Sequence, residues 1–173
     1  LIKIQTYEPE NITLSKRKKF LKIKKGIWKG KYFFDLYKKA CTPYRWHHSA
    51  FKIAKKYKKI IFSSPFSIKA VDFLEEFNVP VYKIASFEIT DYNLINYIAS
   101  KKKPIIISTG MASIKEIKSA IKIIEKYHKK IIILHCVSNY PTKIKDTNLK
   151  KINILKQKFK KYHIGLSDHT DNI

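Results

Sequence analysis

Residues 105–136 read IIISTGMASIKEIKSAIKIIEKYHKKIIILHC. Two short apolar runs, Ile105–Ser108 and 131–135, flank a stretch in which Ile114, Ile117, Ile121 and Ile124 recur at helical spacing. The two runs lack the alternation of a half-exposed strand, so they read as strands buried on both faces, which is the habit of a parallel sheet. Ser113 stands ready to cap the intervening helix, and Glu116 three residues later completes a capping box. The isoleucine stripe then faces the sheet. Strand, helix and strand in so short a span make a βαβ unit.

The same rhythm extends in both directions. Further strands are expected at 1–5, 60–63, 81–85 and His163–Ser167. Ser67 caps a helix over about 68–77, with Val71, Phe73, Leu74 and Phe77 on one side, and residues 91–99 and 149–159 fit the same role. The interval between Gln5 and Ile60 is longer. It holds a Lys-rich stretch, a helix over 31–40, a break at Thr42-Pro43 and a second helix over about 47–57. It reads as an enlarged loop plus helix within one domain, 1–173. The class is α/β with a parallel sheet. No Gly/Ser hinge and no Gly-rich phosphate fingerprint is present.

The 173 residues carry a formal net charge of +24, from 37 basic and 13 acidic side chains, and only Arg17 and Arg45 are arginines. A reader of nucleic acid draws on the guanidinium fork for phosphates and guanine edges. An almost pure lysine excess spread along the chain therefore argues for compositional bias and against a specific nucleic-acid partner. Cys41 and Cys136 form no metal-ligand spacing and suit a reduced, cytoplasmic compartment. No apolar run is long enough to span a membrane, and no signal peptide is visible. The absence of an initial Met, and strand-like sequence from Leu1, lead us to expect a piece of a longer protein.

Polar residues gather at the end of every strand. Lys3 and Gln5 lie on the first, and Ser63-Ser64-Pro65 closes the second. Lys83, Ser86 and Glu88 close the third, and Ser108-Thr109-Gly110 the fourth. His135, Ser138, Asn139 and Tyr140 cluster after the fifth, and Ser167-Asp168-His169-Thr170 closes the sixth. In a (β/α)8 barrel these ends converge on one rim, where chemistry sits; an open doubly wound sheet also gathers them on one edge. Lysines and hydroxyls there suit a phosphorylated anion, while each Ser or Thr taken alone can equally cap the next helix. Composition and spacing thus reach an α/β enzyme with an anionic small-molecule substrate.

Five motifs in order carry a resemblance: Ser63-Ser-Pro-Phe66, Tyr82-Lys-Ile-Ala-Ser86-Phe-Glu88, Pro104-Ile-Ile-Ile-Ser108-Thr-Gly-Met111, His135-Cys-Val-Ser-Asn-Tyr-Pro141 and Gly165-Leu-Ser-Asp-His-Thr170. Together they resemble the sialic acid synthase family, along essentially the whole chain. Lys3-Ile-Gln-Thr-Tyr7, Gly26-Ile-Trp28, Leu36-Tyr37 and Thr42-Pro-Tyr-Arg-Trp-His47 are more similar to its pseudaminic acid branch than to its neuraminate branch. The resemblance implies a partial (β/α)8 TIM barrel with strands two to seven present, and with the first and eighth strands and the C-terminal antifreeze-like domain missing. It also implies that the full-length protein is a homodimer.

The implied reaction joins phosphoenolpyruvate to an N-acetylated amino sugar, giving a nonulosonic acid and phosphate. For the pseudaminic branch the sugar is 2,4-diacetamido-2,4,6-trideoxy-altrose; for the neuraminate branch it is N-acetylmannosamine. By resemblance, Lys3 and Lys83 neutralise the enolpyruvate, and Ser64, Ser86, Ser108, Ser138 and Ser167 donate hydroxyl hydrogen bonds. Ser64 stands where many relatives carry Thr, and Ser138 where the neuraminate branch carries Asn. Lys3 and Lys83 each sit in an apolar strand, so burial there demands an anionic partner. Glu88 is the candidate for proton transfer, or for ordering the attacking water. Tyr140 contacts the sugar, Asp168 orients the loop or supports a metal shell, and His169 binds a divalent metal, Mn2+ or Mg2+. Three alternatives stay open: an aldolase with a Schiff-base lysine, an inactive truncated relic of the family, and a basic nucleic-acid-binding module.

Overall fold

Strand β1, Ile2–Thr6, runs parallel to β2, Ile61–Pro65, with Ile4 opposite Ser63 and Gln5 opposite Ser64. The structure, a computed structural model, describes residues 1–171. Its contacts separate two units, Leu1–Val79 and the remainder from Pro80 onward. The division falls at an ordinary Val-Pro step, with none of the Gly/Ser composition that marks a hinge.

In the first unit, helices α1 (Phe33–Ala40) and α2 (Tyr44–Lys56) lie between the two strands in sequence, and α3 (Ile68–Glu75) follows β2. Ser67 caps α3 as expected, accepting from the Ala70 amide at 3.2 Å. Helix α2 begins at Tyr44, earlier than the expected His47. Pro43, at φ −56°, is set for a helix start, and an earlier start places His47 one turn inside. There the imidazole is fully buried. Its Nδ1 lies 3.2 Å from the Pro43 carbonyl and its Nε2 2.8 Å from Thr6 Oγ1, which in turn meets Ser63 Oγ at 2.7 Å. Thr6 and Ser63 therefore face α2. Strand alternation puts Lys3, Gln5, Phe62 and Ser64 on the other face.

The second unit holds β3 (Tyr82–Ile84), α4 (Tyr92–Ser100), β4 (Ile105–Ser108), α5 (Ile114–Glu125), β5 (Ile131–Cys136), α6 (Lys150–Lys158) and β6 (His163–Ser167). Its four strands are parallel, in the order β3-β4-β5-β6. Ser113 and Glu116 form the capping box read from the sequence, with Ser113 N donating to Glu116 Oε2 at 2.7 Å and Glu116 N to Ser113 Oγ at 3.2 Å. Ile117, Ile121 and Ile124 are buried beneath α5. Each such side chain contributes about 1.5–3 kcal/mol relative to exposure.

Register assigns the faces. Tyr82, Ile84, Ile105, Ile107, Ile131 and Ile133 share one face and are all buried. Lys83, Ile106, Ser108, Leu134, Cys136, Gly165 and Ser167 share the other. One face thus supplies the core, and the other is free to carry polar groups.

Candidate active site

In the second unit the strands end in a cluster of hydroxyls around one glycine. Gly110 follows β4, and its amide donates to Ser86 Oγ at 3.1 Å. A Cβ built on Gly110 would lie 2.2 Å from Ser138 Oγ and 2.8 Å from Ser86 Oγ. Residues beyond β3, β4 and β5 therefore meet at one point. Thr109 anchors the middle segment, because both its amide and its hydroxyl donate to the Leu134 carbonyl at 3.0 Å.

Several polar atoms of this rim are buried and lack a partner: Ser108 Oγ, Ser138 Oγ and Glu88 Oε2. Leaving a buried hydroxyl or carboxylate oxygen unsatisfied costs about 1–3 kcal/mol, so these atoms make the rim a candidate ligand site. Lys83 lies on the same sheet face as Ser108 and is only 6% exposed, as its strand position predicted. Glu88 is turned inward by a 3-10 turn over Ser86–Thr90, an element that no local sequence pattern announces. Burial raises its pKa from 4.5 to about 7, with Lys83 working in the opposite direction.

The segment after β6 is ordered by its own hydrogen bonds. His169 Nδ1 lies 2.8 Å from the Val137 carbonyl, so that nitrogen carries the proton and the lone pair falls on Nε2. Tyr140 stacks on the imidazole with ring centroids 4.1 Å apart. The buried Thr142 fixes the same residue by donating its amide to the His169 carbonyl at 2.8 Å. Asp168 is exposed and accepts from both the amide and the hydroxyl of Thr170, at 3.0 Å each, which lowers its pKa. Its carboxylate thus orders the loop that presents His169. Ser167 closes β6 opposite Cys136, on the Lys83 and Ser108 face. An imidazole held through Nδ1 fits one position of a divalent-metal shell. No group of three His, Cys, Asp or Glu side chains able to hold a metal occurs among the described residues.

In the first unit, Ser64 Oγ is buried without a partner, on the face that also bears Lys3 and Gln5. Lys3 departs from expectation. It is exposed, because β1 pairs with β2 on one side and the first half of the strand is left uncovered. Burial within an apolar strand holds for Lys83 and fails for Lys3. Gly110, Thr109 and Thr142 also shape the site without having been candidates from sequence. The first two lie inside the Ser108-Thr-Gly-Met111 motif, whereas nothing in the sequence singles out Thr142.

The NeuB family model matches residues 1–173. The pseudaminic acid synthase of Campylobacter jejuni is 45% identical over 170 residues, covering 98% of this chain and 49% of that protein. The pseudaminic acid synthase of Helicobacter pylori is 44% identical, with 98% and 50% covered. Among solved structures, the N-acetylneuraminic acid synthetase of Leptospira borgpetersenii, in complex with citrate, superposes with a TM-score of 0.85 at 31% identity, covering 99% of this chain and 55% of that one. The chain thus spans about half the length of the curated relatives it matches. Its fold is the parallel α/β arrangement of part of a (β/α)8 barrel, and the chain belongs to the NeuB family.

Proposed function

We propose that this chain carries a phosphoenolpyruvate-binding rim of a nonulosonic acid synthase, and that the sugar condensed is 2,4-diacetamido-2,4,6-trideoxy-altrose. The observation that carries the reading is the set of unpartnered buried oxygens on Ser108, Ser138 and Glu88, beside the buried Lys83. Hydroxyls and an ammonium suit the carboxylate and phosphate of an enol ester, and the named relatives at 44–45% identity support the choice of sugar.

In this reading C3 of the enolpyruvate attacks the aldehyde carbon of the open-chain sugar, water adds at C2, and phosphate departs. Lys83 offsets the enolpyruvate's negative charge. Ser86, Ser108, Ser138 and Ser167 hold its oxygens still, so that the attack occurs within one bound complex. Glu88, protonated below a pKa of about 7, donates to the aldehyde oxygen as that oxygen becomes an alkoxide. Tyr140 offers the sugar an aromatic edge. His169 Nε2 would be one ligand of a divalent ion, Mn2+ or Mg2+, which when bound polarises the aldehyde. A homodimer and a cytoplasmic setting, where phosphoenolpyruvate is available, go with this reading.

The test is phosphate release from phosphoenolpyruvate by a polypeptide of the relatives' full length containing this chain. It is run in parallel with the diacetamido-trideoxy-altrose and with N-acetylmannosamine. Release with the first sugar alone supports the reading, and release with the second alone moves the chain to the neuraminate branch. Absence of release with both, together with a pyruvate adduct trapped by borohydride, would replace it with an aldolase.

A further inference from the structure

Gly110 has an ordinary backbone conformation. The glycines in the left-handed region are Gly26 and Gly30, at φ of +82° and +88°. Backbone freedom therefore does not explain a glycine at 110. Space does. The volume that a methyl group would take at this position is bounded by Ser138 Oγ at 2.2 Å, Ser86 Oγ at 2.8 Å and Ser86 Cβ at 3.2 Å.

The backbone on either side is poorly placed to yield. Thr109 is tied to β5 through two hydrogen bonds to one carbonyl, and its own carbonyl accepts from the Ala112 amide at 3.2 Å. A side chain at 110 would instead displace what can rotate, namely the two serine hydroxyls. The Gly110 amide adds direction. By donating to Ser86 Oγ it occupies a lone pair of that hydroxyl, and a hydroxyl with its oxygen so engaged directs its single proton elsewhere. Ser138 Oγ, with no protein partner, lies on the other side of the same point.

We infer that Gly110 is a positioning residue: its missing side chain lets Ser86 and Ser138 approach from two strand ends, and its amide orients the Ser86 hydroxyl, so that both hydroxyls donate to one anionic group of the enolpyruvate. This rests on the phosphoenolpyruvate reading and adds to it the device that sets the hydroxyl pair. Gly110 touches no substrate itself and acts through the two serines.

The test compares the wild-type full-length protein with Gly110→Ala, measuring thermal midpoint, phosphoenolpyruvate binding by calorimetry and the separate KM values for phosphoenolpyruvate and sugar. Because serine hydroxyls rotate at small cost, the variant should keep a thermal midpoint within a few degrees of wild type. Its phosphoenolpyruvate Kd and KM should rise about tenfold or more, equivalent to about 1.4 kcal/mol, while the sugar KM stays within about threefold. Gly110→Ala combined with Ser138→Ala removes the 2.2 Å approach and leaves that of Ser86, so it should regain part of any lost thermal stability without regaining phosphoenolpyruvate affinity. If affinity returns in the double variant, or never falls in the single one, the positioning role is wrong. Wild-type protein that binds phosphoenolpyruvate but releases no phosphate with either sugar sinks the synthase reading alone, and the affinity comparison still decides Gly110. Wild-type protein that does not bind phosphoenolpyruvate overturns both.

Discussion

Replacing Glu88 by Gln tests the most unusual group in the second unit. Burial moves this carboxyl from 4.5 to about 7, the nearby Lys83 charge notwithstanding. At about 1.4 kcal/mol per pH unit, the ionised form is disfavoured in the folded protein by about 3 kcal/mol, or about 2–3 kcal/mol once solvent at the exposed edge of the residue is allowed for. The sign follows from linkage. A folded pKa above the unfolded one means that the folded state holds the proton more tightly. The stabilisation is complete below pH 4.5, falls away as pH rises toward about 7, and is gone above that. The amide of the Glu88→Gln variant does not titrate. Urea unfolding followed by far-UV circular dichroism should therefore find the variant close to wild type near pH 5 and more stable by about 2–3 kcal/mol near pH 8.5. Turnover in the full-length protein should fall in wild type as pH rises through about 7, and should be low and flat in the variant. A stability difference that is the same at both pH values would show that Glu88 is not a buried acid, and its assignment as proton donor would fail with it.

Lys83→Met removes the charge that holds the Glu88 pKa down, so the Glu88-dependent loss of stability should extend to higher pH and grow larger, and the phosphoenolpyruvate KM should rise about tenfold or more. Burial lowers the His47 pKa below 6.5; stability from its neutral form is complete above 6.5 and is lost as pH falls through the folded value. Thermal melts should show that loss in wild type and a flatter pH profile in His47→Gln. Ser113→Ala breaks the capping box of α5 and should cost about 1 kcal/mol, with faster amide exchange confined to the first turn of that helix.

The parts of the fold that are legible in the sequence are those decided locally. Ile105–Ser108 is a strand because isoleucines favour it, and α5 begins at Ile114 because Ser113 and Glu116 cap it. The start of α2 is harder to read, because Pro43 occupies the position where a side-chain cap would have signalled it. Lys3 and Lys83 occupy similar local sequence, yet one is exposed and the other buried, because burial depends on what covers the strand. Hydroxyls after strands are visible in the sequence too. That Ser86 and Ser138 close on Gly110 is not, since the three come from separate strand ends and no local pattern links them.

The division of labour between the two sheet faces explains how the second unit tolerates its unpaired polar atoms. Tyr82, Ile84, Ile105, Ile107, Ile131 and Ile133 fill one side of the sheet at near-zero exposure, and burying such side chains contributes about 1.5–3 kcal/mol each. The three unpartnered oxygens of Ser108, Ser138 and Glu88 cost about 1–3 kcal/mol apiece on or beyond the other side. The core thus outweighs the site, and the strand period of two keeps them apart. On the proposed reading, a polar substitution at Ile107 acts on stability alone, whereas one at its neighbour Ser108 acts on phosphoenolpyruvate binding. Adjacent residues in the sequence have opposite consequences because they point to opposite faces.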